Sequence, residues 1–294
     1  MPWNRRIAII GAGRMGRWMA RFFSNENIPV TVSDVNRDAL RRVSEELDVS
    51  VDDNANAVKH ADSVLLAVPI ESFKEVVREI CRYLKPNQAV MDICSVKDPV
   101  VDIMHKYIKT GVTLGTHPLF GPGAEKIEGR GWVLTPTNSR ERKLAREVGG
   151  WLEKRGAKVY STSPKEHDRL MSLTLAFPHF LGLVACDTLT RSGSFSKARR
   201  FAGPTYKLLL TLAEAVASEN PDHYASIQMN LPKAEAFQKF FLATSKEWLN
   251  IVKKKDKSKF IEEMKRLKER LKRLDPDYPT SYEAMYQLLK KSGL

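Results

Sequence analysis

Residues 6–23 constrain the fold of this chain more than any other stretch. Arg6-Ile7-Ala8-Ile9-Ile10 is a short continuous apolar run, the pattern of a parallel strand buried on both faces. Gly11-Ala12-Gly13-Arg14-Met15-Gly16 follows without a gap, and Arg17 to Phe23 continues with helical spacing. A Gly-x-Gly-x-x-Gly run alone says little; between a strand and a helix it marks a dinucleotide-binding turn. Gly11 makes the tight turn, Gly13 admits a pyrophosphate to the backbone, and Gly16 lets helix and strand pack closely. The helix N-terminus then faces the phosphates. A second strand, Val30-Thr31-Val32-Ser33, ends in Asp34, an acid that can accept hydrogen bonds from a ribose and would repel a 2′-phosphate. The expected cofactor is NAD, held by Gly11, Gly13, Arg14, Met15, Gly16 and Asp34. The nearby Arg37 slightly weakens the preference over NADP.

The alternation continues for about 160 residues. Helical patterns over 38–47, 54–60, 73–84, 99–107 and 141–154 separate apolar strands at 63–69, 89–93, 112–114, 132–134 and 157–160. This predicts a doubly wound α/β domain with a parallel sheet, whose ligands sit beyond the carboxyl ends of the strands. Three polar residues fall there: Ser95 and Lys97 after one strand, and His117 after the next. His117 lies in Leu114-Gly115-Thr116-His117-Pro118-Leu119-Phe120-Gly121-Pro122, read as a turn stiffened by two prolines and two glycines. Pro118 holds the histidine backbone toward an extended conformation. A fixed imidazole can take a proton near neutral pH.

At Ser163-Pro164-Lys165-Glu166 the pattern changes. This is a capping box with proline at the first helical position. The pattern is helical from there to Leu294, so the expected domains are 1–162, binding the dinucleotide, and 163–294, all-helical. Pro178 should kink the first of these helices by displacing the bond to Thr174. Phe260, Met264, Leu267, Leu271 and Leu274 form a seam of the kind helices pack along. Together with Phe237, Phe240, Phe241 and Trp248, it predicts a homodimer built through the helical half.

Charge and cysteine usage narrow the partners. The net charge is +13, and residues 246–273 hold twelve Lys/Arg against five Asp/Glu, about half of the excess. The aromatics of that span are not interleaved with its basic residues in the manner of single-strand binders, so the run reads as a solvated helix face and not a nucleic-acid surface. A basic protein would also attract a small anionic substrate. Cys81, Cys94 and Cys186 are far apart and without metal spacing, which suits a reducing compartment. The first six residues run straight into a strand with no signal peptide. The longest apolar run, 173–186, contains Pro178 and His179 and does not reach spanning length. The expectation is a cytoplasmic protein without a metal.

The order of these motifs resembles the prephenate/arogenate dehydrogenases of tyrosine biosynthesis. The resemblance rests on the glycine motif, Ser95-Val96-Lys97, His117-Pro118-Leu119-Phe120-Gly121-Pro122, Glu166-His167-Asp168 with Met171, Pro178-His179-Phe180 and Pro204-Thr205-Tyr206-Lys207. It implies oxidation of prephenate with NAD to 4-hydroxyphenylpyruvate and CO₂, or of arogenate to tyrosine. By the same resemblance His117 receives the ring hydroxyl's proton, Ser95 orients that pair and Lys97 is a supporting cation. His179, Lys207 and Tyr206 would line the substrate pocket. Lys207 stands where the family usually has an arginine gripping a substrate carboxylate, so Arg199 or Arg200 is the expected helper. Two alternatives stand beside this reading. A β-hydroxyacid dehydrogenase or imine reductase would place a lysine–asparagine pair on the interdomain helix, and residues 163–185 carry none. A non-catalytic dinucleotide-binding regulator would leave Ser95, Lys97 and His117 without a role.

Overall fold

A computed structural model describes Trp3 and residues 5–292, which form two compact units, Met1–Met171 and Ser172–Leu294. Met1, Pro2, Asn4, Gly293 and Leu294, at the ends of the stretches read above as leaderless and as helical, lie outside the described residues.

In the first unit β1 (Ile7–Ile10), α1 (Arg14–Asn25), β2 (Val30–Ser33), α2 (Arg37–Glu46), β3 (Ser50–Val51), α3 (Asn54–His60) and β4 (Ser63–Leu66) open the fold. Next come α4 (Ile70–Ile80), β5 (Ala89–Asp92), α5 (Asp98–Tyr107), β6 (Val112–Pro118), β7 (Gly131–Thr135), α6 (Ser139–Glu153), β8 (Lys158–Ser161) and α7 (Pro164–Met171). The eight strands form one sheet in the order β3-β2-β1-β4-β5-β6-β7-β8. Strands β1 to β6 pair in parallel, with Ile7 opposite both Val30 and Ser63. Helices cover both faces. One face buries Trp3, Met19, Phe23, Trp132, Val148 and Trp151; the other buries Phe73, Val77, Ile80, Val100 and Met104.

The sheet departs from the expected all-parallel form at β6. Its first half, Val112–Leu114, pairs in parallel with β5, and its second half, Gly115–Pro118, pairs antiparallel with β7. His117 therefore lies within a strand, not in the turn expected from its glycines and prolines. Gly115 marks the change of partner. A Cβ there would meet Thr135 Oγ1 at 2.3 Å and Val101 Cγ2 at 2.7 Å, so only glycine lets β6 pass this close.

The first unit ends nine residues beyond the boundary expected at 162/163, because α7 is bonded into it through His167 and Asp168. Residues 172–176 form one π-helical turn, and the wider turn absorbs the N–H that Pro178 lacks. Gln228 Nε2 donates to Ala176 O there at 2.8 Å. Counted as one helical run, residues 164–191 are long and apolar enough to cross a membrane by length and composition. Pro178 and His179, which were expected to keep the apolar run short of spanning length, lie within it.

The second unit continues with α8 (Phe177–Arg191), α9 (Phe195–Arg200), α10 (Pro204–Ala217), α11 (Pro221–Asn230), α12 (Ala234–Lys253), α13 (Lys257–Leu274) and α14 (Ser281–Ser292). α8 and α10 pack antiparallel, with Gly182 directly against Val216. α12 and α13 form a hairpin held by Trp248 against Phe260, ring centroids 5.3 Å apart. Their outer surface stays apolar and exposed: Phe240 72%, Leu249 65%, Met264 51% and Leu274 76%.

Candidate active site

The glycine turn leaves a cradle. Gly11 has φ +110°, and a Cβ on it would lie 2.4 Å from Ala67 O; on Gly16 it would lie 1.9 Å from Gly11 O. Both positions are closed to any side chain. Gly13 is the opposite case, solvent-facing with no atom within 4 Å of a Cβ. It is also the N-cap of α1, and no side chain caps that helix. The helix thus begins at a position no side chain occupies, an arrangement that fits a pyrophosphate. Arg14 and Met15 begin the same helix. Asp34 is half-buried, with Oδ2 accepting from Ala12 N at 2.6 Å and Oδ1 from Asn36 N at 2.7 Å. This fixes the carboxylate at the tip of β2, where its remaining lone pairs can accept ribose hydroxyls. Arg37 is exposed at the start of α2.

The carboxyl ends of β5 and β6 carry the second half of the site, on the same edge of the sheet. Asp92 and Lys97 are both fully buried and form an ion pair. Lys97 Nζ also donates to Thr116 O at 2.7 Å, and Asp92 Oδ1 accepts from Thr116 N at 3.2 Å. A pair so enclosed is held by its satisfied hydrogen bonds and not by charge attraction alone. It ties the end of β5 to the residue before His117. Lys97 has 0% exposure, so its ammonium supports the site from within. At the same strand end, burial and the Asp92 carboxylate push the Cys94 thiol far up, which disfavours its thiolate.

His117 is 5% exposed, and its Nδ1 lies 2.9 Å from His167 Nε2. His167 Nδ1 lies in turn 2.7 Å from Asp168 Oδ1. Asp168 also accepts from two backbone amides at the start of α5, Lys97 N at 2.7 Å and Asp98 N at 2.8 Å. Burial lowers the pKa of His167, opposed by its bond to Asp168, which keeps this imidazole neutral at physiological pH. The result is a buried row of carboxylate, imidazole and imidazole, with His117 at its outer end.

Within the first unit, then, Ser95, Lys97 and His117 lie at adjacent strand ends. Ser95 is half-buried and its hydroxyl exchanges no hydrogen bond with another described residue; the Nδ1 of His117 meets His167. Asp92 and Thr116 belong to no sequence motif, and His167 and Asp168 carry no site role in the sequence. Glu166-His167-Asp168 was visible as a motif, but nothing in a helical pattern shows that its histidine meets one fifty residues earlier.

The second unit scatters the other expected residues. His179 stacks on Tyr224 with ring centroids 4.2 Å apart, and its buried Nδ1 has no hydrogen-bond partner. Burial first, then the nearby His223, lower its pKa to about 4, against the opposing pull of Glu219. Tyr206 lies ten residues before Val216 on α10, about 15 Å along the axis at 1.5 Å per residue. His179 is on the far side of Gly182 from that end. Tyr206 and Lys207 are therefore at the opposite end of the α8–α10 hairpin from His179. The Tyr206 hydroxyl is also buried without a partner. Lys207 is half-buried, Arg200 is exposed, and Arg199 pairs with Glu214 at 3.4 Å.

Comparison with known proteins agrees across both units. The profile of the prephenate dehydrogenase nucleotide-binding domain matches residues 19–161, and that of the prephenate dehydrogenase dimerization domain matches residues 163–266. A Methanocaldococcus jannaschii protein named "Probable arogenate/prephenate dehydrogenase" is 33% identical over 267 residues, covering 89% of this chain and 60% of its own length. The cyclohexadienyl dehydrogenase of Zymomonas mobilis is 26% identical, covering 89% of this chain and 93% of its own. This chain spans about 60% of the length of the first curated relatives it matches. The crystal structure of prephenate dehydrogenase from A. aeolicus, in complex with hydroxyphenyl propionate and NAD+, shares the fold, with TM-score 0.75 and 21% identity over 92% of this chain and 98% of that one.

Proposed function

Since this chain belongs to the prephenate dehydrogenase family, we propose that it catalyses the NAD-dependent oxidative decarboxylation of prephenate to 4-hydroxyphenylpyruvate, or of arogenate to tyrosine. The observation that carries the reading is His117, held by buried partners on the sheet edge that also bears the open glycine cradle. When bound, the nicotinamide supplies the acceptor for the hydride that leaves ring carbon C4. The chain's part is positional and acid–base. Gly13 and the start of α1 take the pyrophosphate, and Asp34 takes the ribose and disfavours a 2′-phosphate. His117 accepts the proton of the C4 hydroxyl as hydride departs. Electrons from the breaking bond to the ring carboxylate make the ring aromatic, CO₂ leaves, and the proton returns to the phenolic oxygen. Because aromatisation supplies the driving force, the protein need only hold geometry and one proton.

His179 is proposed to contact the anionic substrate bound by its own copy of the chain, and Tyr206 and Lys207, at the other end of the α8–α10 hairpin with Arg199 or Arg200 beside them, the substrate of a second copy; Ser95 is proposed to approach the hydroxyl held by His117. A second copy of the chain is proposed to cover the exposed apolar faces of α12 and α13, in a cytoplasmic homodimer that engages neither nucleic acid nor membrane. The three free cysteines suit that compartment. The test is NADH formation with prephenate and, separately, with arogenate. His117→Asn should lower kcat by roughly 10²–10⁴-fold with NAD affinity nearly unchanged. Near-normal kcat in that variant removes the role, and no turnover of either substrate removes the function.

A further inference from the structure

His117 has two ring nitrogens, and the buried row behind it decides which one carries the proton. Both oxygens of Asp168 act as acceptors, Oδ1 from Lys97 N and Oδ2 from Asp98 N. Its carboxylate takes Lys97 N and Asp98 N, two amides at the N-terminus of α5, where a negative charge is favoured. The contact at 2.7 Å between His167 Nδ1 and Asp168 Oδ1 is therefore donated by the imidazole. His167 is neutral, so its proton on Nδ1 leaves a lone pair on Nε2. That lone pair lies 2.9 Å from His117 Nδ1, which must in turn be the donor. Each step has one solution, and together they place the lone pair of His117 on Nε2.

We infer that His167 and Asp168 are positioning residues that hold His117 as the Nδ1–H tautomer, presenting Nε2 as the proton acceptor. An isolated histidine prefers the opposite tautomer. The row also spreads the positive charge that His117 gains when it takes a proton: His117 Nδ1–H strengthens its bond to His167, and His167 its bond to Asp168. The charged groups facing His167 are Asp168 on its own helix, and Lys97 and Asp92 from the end of β5. The last two neutralise each other, so the Asp168 carboxylate sets the polarity of the row.

The inference rests on His117 being the base, and the test separates the two. In enzyme carrying ¹⁵N-labelled histidine, at pH 7.5 and without substrate, the ring-nitrogen shifts of His117 and His167 should both report Nδ1–H and a bare Nε2. Their resonances are assigned with His117→Asn and His167→Gln. This outcome does not depend on which reaction the enzyme performs, and a His117 protonated at Nε2 overturns the inference while leaving the base role standing. Kinetics add a second reading. A glutamine at 167 can give its amide N–H to Asp168 and its carbonyl to His117, copying the directions of the row. His167→Gln should keep kcat within about tenfold, whereas His167→Phe should lose roughly 10²-fold, with KM for NAD within twofold in both. Equal loss in two variants that both melt near the wild-type Tm would assign His167 a packing role only, and overturn the inference.

Discussion

Lysine and arginine differ most where a carboxylate has to be gripped, and residue 207 is such a place. Arginine offers a planar fork, and lysine a single hydrated point charge. Lys207 is half-buried in the first turn of α10, close in sequence to exposed Arg200. If it meets the substrate as proposed, Lys207→Ala should raise substrate KM more than tenfold, about 1.4 kcal/mol, with KM for NAD little changed. Lys207→Arg should preserve or improve binding. A substrate KM within twofold of wild type in the alanine variant moves the role to Arg199 or Arg200. Single residues also show where sequence legibility stops. Gly11 and Gly16 were readable because each meets a steric demand that only glycine satisfies, and Asp34 because its place follows from strand length. Lys97 was visible as a cation, but its enclosure was not, since burial depends on Asp92 and Thr116 arriving from two other segments.

Among the elements, α8 carries the clearest pH signature. His179 faces Tyr224, and its folded-state pKa of about 4 lies below the ordinary value of 6.5. The unfolded chain thus binds more protons than the folded one between these values. Stability is fully present above pH 6.5, falls as pH drops through this window, and levels off below about pH 4. His167 shifts in the same direction and adds to the loss. His179→Phe should flatten the fall in Tm between pH 7 and pH 4.5; a Tm profile parallel to wild type would show that His179 titrates normally. Element by element, strands β1, β2, β4 and β5 could be read from apolar runs. The two-residue β3 was too short to leave a pattern. The second half of β6 was hidden because Gly115 and Pro118 read as turn residues, whereas here the glycine permits a close crossing and the proline ends the strand.

For the whole molecule, the open question is what covers α12 and α13. Phe240, Leu249, Met264, Leu267, Leu271 and Leu274 would otherwise stand exposed to water. Lys259 and Arg266 of α13 pair with Glu262 and Glu263, as on a solvated face. A second copy seated on the seam predicts a dimer by light scattering at micromolar concentration. Met264→Lys together with Leu271→Glu should convert it to monomer, and a monomeric wild type would exclude the pairing. The division into two halves was legible at the capping box near Ser163, but not the way α7 stays with the first half. That attachment has its own consequence. Lys97, the N-cap residue of α5, offers no side-chain cap, and the carboxylate of Asp168 serves in its place. The same two oxygens anchor a helix of the sheet and polarise the histidine row. Selection cannot adjust one without disturbing the other, so this position should resist drift toward either greater stability or altered reactivity. A carboxylate shared in this way makes folding correctly and being chemically competent a single event.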